Sequence, residues 1–189
     1  MSTWKIDAAH SEIKFKVRHL VVSTVTGHFR KFDATVESDK DDFNGAKISF
    51  EADIDSIDTG NAQRDGHLKS ADFFDAASHQ KMTFVSKSFT KKSGNDYELV
   101  GDLTLRGVKR EEKLDVIYNG SVKGFRGDDV AAFEITGKIN RQDFGLKWSA
   151  TTEAGGVVVS DEVKLDILVE LNKVQPVAAT KTEAAAAAN

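Results

Sequence analysis

The sequence predicts an all-β fold: a single eight-stranded antiparallel β-barrel with a short helix between strands three and four. Three observations carry that reading. Apolar and polar residues alternate with period two in short runs along most of the chain. Charges fill only one side of each run, and the pattern breaks once, between about 55 and 79.

In the first run, Ile13, Phe15 and Val17 alternate with Lys14, Lys16 and Arg18. A second run lies near 24–37. In the third, Ala46, Ile48, Phe50, Ala52 and Ile54 alternate with Lys47, Ser49, Glu51 and Asp53. After the break come runs near 81–89, 97–106 and 112–119, and then Phe133, Ile135, Gly137 and Ile139 against Glu134, Thr136 and Lys138. The last is the cleanest: Val163, Leu165, Ile167, Val169 and Leu171 stand against Lys164, Asp166, Leu168 and Glu170. Successive side chains of a strand point to opposite faces, so each run gives one apolar and one charged face. Turn signals separate the runs, among them Asp42-Phe43-Asn44-Gly45, Ser93-Gly94-Asn95-Asp96, Asn119-Gly120 and Gly127-Asp128-Asp129. Strands with one wet face belong to an antiparallel sheet. Without a helical layer, only a sandwich or a closed barrel buries their inner face. A sandwich needs two sheets and a barrel only one, which favours the barrel.

At the break, Asn61 can cap a short helix through Ala62, Arg64, His67, Leu68 and Ala71. Gly66 weakens that helix by about 1 kcal/mol relative to alanine. Phe73-Phe74 follows at once, which suits a plug or lid over one barrel mouth. A second irregular stretch, 141–160, carries Phe144, Leu146, Trp148 and Gly155-Gly156. The barrel domain is expected to span 1–173. Residues 174–189 hold the only proline, Pro176, and a run of five alanines, and read as a disordered or loosely helical appendage.

Composition narrows the function. The chain has 189 residues, 40% hydrophobic and 30% charged, with a net charge of −4 from 26 basic and 30 acidic residues. No basic excess exists to neutralise phosphates, so nucleic acid is not the expected partner. There is no cysteine, which removes disulfides, thiolate nucleophiles and cysteine-ligated zinc. No stretch of about 18 apolar residues occurs, so no transmembrane segment is expected. The N-terminus has no apolar signal-peptide core, from which a cytoplasmic location is expected, or a periplasmic one if this is a processed mature form. The five histidines, His10, His19, His28, His67 and His79, form no recognisable zinc spacing, and no metal is expected. His10 and His19 are the pair that adjacent segments could bring together. No Gly-x-Ser-x-Gly elbow, P-loop or dinucleotide fingerprint is present, so no catalytic residues are assigned and an enzyme is not expected.

Several strings go beyond what alternation requires. Trp4-x-Ile6-Asp7 leads to His10-Ser11-x-Ile13-x-Phe15-x-Val17-x-His19 and then Gly27-x-Phe29. Arg64-Asp65-x-His67-Leu68-x-Ser70-x-Asp72-Phe73-Phe74-Asp75 fills the break. Gly101-x-Leu103-Thr104-Leu105-x-Gly107-Val108, Asn140-Arg141-x-Asp143-Phe144-Gly145-Leu146 and Asp161-Glu162-Val163 follow. In this order and spacing the chain resembles the polyisoprenoid-binding YceI-like family over roughly residues 3–172. The resemblance implies a lipocalin-like barrel of eight strands with an apolar tunnel. It also implies a bound polyprenyl quinone, quinone precursor or fatty-acyl compound, with no other cofactor. Homodimers are among the assemblies it allows. One departure stands out: Gln80 lies near a position where the family usually carries proline.

An eight-stranded lumen is just wide enough either to be filled by side chains or to hold one slim ligand. Twelve phenylalanines, many at inward positions or on the 55–79 segment, together with the resemblance, favour the ligand. The candidate ligand-binding residues are Phe15, Val17, His19, Phe29, Phe50, Arg64, His67, Leu68, Phe73, Phe74, Phe84, Phe133, Arg141, Phe144 and Trp148. Among these, His19, Arg64, His67 and Arg141 are the candidate donors to a polar head. For Asp65 an ion pair or a helix-cap network is the favoured reading, and for Arg64 that reading stands level with the head-group one. A filled barrel serving as a stress-associated interaction module is the competing reading.

Overall fold

In the computed structural model, which describes residues 1–175, the eight alternating runs become eight staves of one closed antiparallel barrel. Three staves are each built from two strands. The first joins β1 (Ser2–Ile6) to β2 (Glu12–His19), the second β3 (Ser23–Phe29) to β4 (Phe32–Ser38). The third joins β5 (Lys47–Asp53), through a 3₁₀ turn at Ile54–Ser56, to β6 (Ile57–Asp58). The rest are β7 (Lys81–Ser93), β8 (Asp96–Leu105), β9 (Val108–Lys123), β10 (Asp129–Asn140) and β11 (Val159–Lys173). The ring closes because β11 pairs with β10 on one edge, Val169 opposite Phe133, and with the first stave on the other. There Leu165 faces Phe15 and Leu171 faces Ile6. Nearly all of the 174–189 tail lies outside the described residues.

The break in the first stave is built by the Asp7…His10-Ser11 string. Asp7 Oδ1 accepts from Ala9 N at 2.9 Å, and Asp7 N donates to Glu170 O at 2.8 Å. Ser11 Oγ accepts from Glu170 N at 2.9 Å, so β11 stays bonded past the interruption. His10 Nδ1 lies 3.1 Å from Asp7 Oδ2, and Asn172 Nδ2 donates to the same oxygen at 3.1 Å. The hydrogen bond to His10 is the main cause that holds the Asp7 carboxyl below its usual range, and the same contact raises the His10 imidazole.

The two ends of the barrel differ. At one, the 39–46 connection folds inward and buries Phe43 at 1% exposure. Its ring lies 5.0 Å from Trp4, 5.5 Å from Tyr118 and 5.1 Å from Phe133, and Phe89 stacks on Tyr97 at 4.8 Å. Edge-to-face and stacked rings of this kind seal the end with apolar surface. Tyr97 is buried there because its hydroxyl donates to Asp42 O at 2.5 Å.

The other end flares. β6 is only two residues long, and α1 (Ala62–Lys69) with the chain to Gln80 fills the space between it and β7. Opposite, β9 pairs with β10 only from Asp115 onward, leaving Val108–Leu114 and Gly137–Asn140 without a shared ladder. Leu114 crosses that parting over Gly137, where a Cβ would sit 2.4 Å from its methyl carbon, and Arg110 Nε donates to Asp143 O at 3.2 Å. Only glycine lets the leucine close the seam.

The β2–β3 hairpin projects from this flared end with Leu20 at φ 50° and Val21 at φ 65°. A β-branched residue in the left-handed region is strained, by about 1–3 kcal/mol. Replacing Val21 by glycine is expected to raise stability by about 1 kcal/mol, read as a higher denaturation midpoint at unchanged slope.

Candidate functional site

Inward parity on each strand would bury these side chains fully if the lumen were solid. Trp4, Phe29, Phe84, Leu103 and Phe133 are indeed buried. Phe15, Phe50, Ile135, Val163, Leu165, Ile167 and Val169 point inward yet keep accessible surface. They face a cavity of about 580 Å³ that runs from the aromatic plug to the helix end. That volume lies within the range of small-molecule and cofactor sites, roughly 300–1,000 Å³.

Every candidate named from sequence except Phe144 lines this cavity. Phe15 and Val17 come from β2, Phe29 from β3, Phe50 from β5, Phe84 from β7 and Phe133 from β10. Phe15 lies over Gly27, where a Cβ would approach its ring to 2.2 Å. Arg64, His67, Leu68, Phe73 and Phe74 come from α1 and the turns after it, and Trp148 from the 145–158 loop. Together they close the mouth. His67 packs edge-on to Phe73 at 5.1 Å and to Trp148 at 5.0 Å, while its Nε2 donates to Asp72 Oδ2 at 2.8 Å. Phe74 meets Phe29 edge-on at 6.0 Å, tying the lid to the barrel wall.

Two expectations are corrected. Phe144 ends a 3₁₀ turn, Arg141–Phe144, that aims its ring into the protein core at 0% exposure, away from the cavity. Arg141 borders the cavity, but its guanidinium is committed to the fold. Nε donates to Ser160 O at 2.9 Å and Nη1 to Leu146 O and Trp148 O at 2.6 and 2.7 Å. Nη2 donates to Val159 O at 3.5 Å and Asp161 Oδ1 at 3.0 Å. All the donors of a guanidinium are thereby used, and none is left for a head group. Burial lowers the Arg141 pKa, and Asp161 opposes that shift. The residue is a clamp that ties the 145–158 loop to the start of β11.

The Arg64-Asp65 pair resolves as a cap network. Asp65 Oδ1 accepts from Thr59 N at 2.9 Å and from Thr59 Oγ1 at 2.5 Å. Arg64 Nε and Nη2 donate to Thr59 Oγ1 and O at 2.7 and 2.8 Å, while Nη1 has no partner among the described residues. Arg64 therefore holds the helix and keeps donors at the cavity mouth. His19 also lies at the mouth, at the far end of β2 from His10, so these two imidazoles do not meet.

Lys14, Thr59, Asn61, Gln63 and Glu112 are polar residues of the lining that the sequence reading does not name as site candidates, and Glu112 is the one with a shifted carboxyl. Glu112 lines the cavity at the parting between β9 and β10. It shares strand parity with Leu114 and Val116, which was the available signal. Burial, and secondarily Asp143, raise its carboxyl pKa above 4.5. The folded state then binds more protons than the unfolded one. Stability should fall as pH rises from about 4.3 through the raised value, and level off above it. The difference in denaturation midpoint between the parent and Glu112→Gln should trace this fall with pH.

With the geometry in view, comparison with known proteins is informative. Residues 4–171 match the family model described as the YceI-like domain. A UPF0312 protein of Staphylococcus epidermidis is 39% identical over 173 residues, covering 91% of this chain and 98% of the relative. The chain belongs to the YceI-like family. Among solved structures, Campylobacter jejuni YceI protein is 32% identical with a TM-score of 0.72, over 84% of this chain and 90% of that one. Burkholderia cenocepacia BcnA is 23% identical with a TM-score of 0.76, over 87% and 98%, and shares the fold. Of the signature strings of this YceI-like chain, those at 7–11, 64–75 and 140–161 fall on the stave interruption, the lid and its cap, and the Arg141 clamp, while the others lie on β1, β2, β3, β8 and the turn after β8.

Proposed function

We propose that this YceI-like barrel binds a long-chain amphiphile, either a polyisoprenoid quinone or its precursor or a fatty-acyl compound, for carriage or storage. The observation that supports this reading is the lumen itself: a long apolar cavity with inward side chains left accessible along its length. A buried methylene contributes about 0.8 kcal/mol, so roughly a dozen contribute about 10 kcal/mol before the cost of association. That attraction is non-directional and tolerates variation in the chain. Discrimination falls to the mouth, where Arg64 Nη1, His19 and Glu112 can meet a polar head.

Trp148 sits in the lid on the cavity, and Trp4 in the plug outside it. A polyprenyl or acyl probe should therefore quench Trp148 fluorescence, and the response should vanish in Trp148→Phe and persist in Trp4→Phe. An unquenched Trp148 at saturating probe would contradict the reading.

A further inference from the structure

The flared end carries an apolar patch that the barrel's own packing does not use. Leu20, Val21 and Val22 form the tip of the β2–β3 hairpin at 42, 63 and 83% exposure, and Val157 lies beside them at 47%. The patch is one surface, because Leu20 N donates to Val158 O at 3.0 Å. It is also continuous with the cavity. Val158 and Val159 line the lumen, His19 pairs with Val159, and Val17 and Val25 continue the apolar wall inward.

We propose that this hairpin tip is a docking surface for a lipid bilayer, inserting its side chains so that the cavity mouth opens against the membrane. The inference rests on the lipid-ligand reading above. Three side chains on a protruding turn and one beside it are far too few for a stable second copy, which needs roughly 800 Å² per partner. They suit shallow insertion at the headgroup boundary, where small apolar surfaces suffice for reversible binding. A strained backbone that holds Val21 outward is the kind of local cost that function retains. The net charge of −4 supplies no attraction to anionic lipid, so binding should not require it. Among the other exposed apolar residues, Val122 and Phe125 lie at the plugged end and lead to no cavity mouth, which makes Phe125→Ser a control.

Co-sedimentation with phosphatidylcholine vesicles tests the proposal, using the parent, Val21→Asn/Val22→Ser and Phe125→Ser. Asparagine tolerates the left-handed backbone, so the double variant should fold without loss of melting temperature. The parent and Phe125→Ser are expected to bind vesicles, and the double variant about tenfold or more weakly. Uptake of a dansyl-labelled fatty acid should slow in the double variant when delivered from vesicles and stay unchanged from solution. A parent that takes up the probe from solution but does not bind vesicles would overturn the docking surface and leave the ligand reading intact. So would equal binding by the double variant, or binding that needs anionic lipid. A parent dimer in sedimentation equilibrium that the double variant abolishes, without vesicle binding, would assign the tip to a second copy. A parent that takes up no probe from either source would overturn both readings.

Discussion

Replacing Phe43 by alanine is expected to cost about 3–5 kcal/mol of stability, because its ring is enclosed by Trp4, Tyr118 and Phe133 and the neighbours cannot collapse into the space. For a chain of this size that corresponds to a melting temperature lower by about 6–20 °C. The contrast is with Phe50→Ala. Both rings border the cavity, but Phe43 is packed to 1% exposure at its plugged end whereas Phe50 is only partly buried, so removing Phe50 enlarges an existing lumen rather than opening a void in packed surroundings. Phe50→Ala should cost clearly less than Phe43→Ala while weakening retention of an acyl probe. Equal costs for the two would mean that the middle of the barrel is as solid as its plug.

Arg141→Ala is expected to be comparably severe, about 3–5 kcal/mol, for a different reason. The side chain is 4% exposed and holds backbone carbonyls of Leu146, Trp148, Val159 and Ser160. Removing it strands those acceptors, at about 1–3 kcal/mol for each one that stays buried, and the loop can relieve only some of them by moving into water. Arg141→Lys should recover little, because an ammonium offers no planar fork to reach acceptors on both arms of the loop. Trp148 is held through its own carbonyl, so its emission should shift towards that of a solvated indole in both variants. Retained stability with unchanged emission would show that the loop is fixed by other contacts.

These two residues also mark how much was legible beforehand. The staves were readable because period-two alternation is a direct consequence of strand geometry, and β8 shows it in pure form, with Tyr97, Leu99, Gly101, Leu103 and Leu105 all buried. The lid was readable from Asn61, whose side chain does accept from Arg64 N at 2.9 Å. What alternation could not convey was pairing along the barrel wall. Nothing in the spacing of 7–11 says that the chain leaves β11 and returns to it, since that depends on hydrogen bonds 159 residues away in sequence. Arg141 reads as a head-group donor for the same reason: four of its five acceptors are backbone carbonyls, and carbonyls carry no sequence signal. Phe144 was misplaced because a 3₁₀ turn has neither strand nor helix parity. Phe43 was read as part of a turn, and its inward aim depends on a φ of 60° that phenylalanine seldom adopts.

The cavity is the centre of the account, and native mass spectrometry of the gently purified protein tests it most directly. The parent should carry an adduct with the mass of a long-chain isoprenoid or acyl amphiphile, released on organic extraction. A variant with the mid-lumen filled, Ile167→Trp, should fold and carry none. Parent protein that is free of adduct, and that takes up no polyprenyl or acyl compound when one is supplied, would contradict the account.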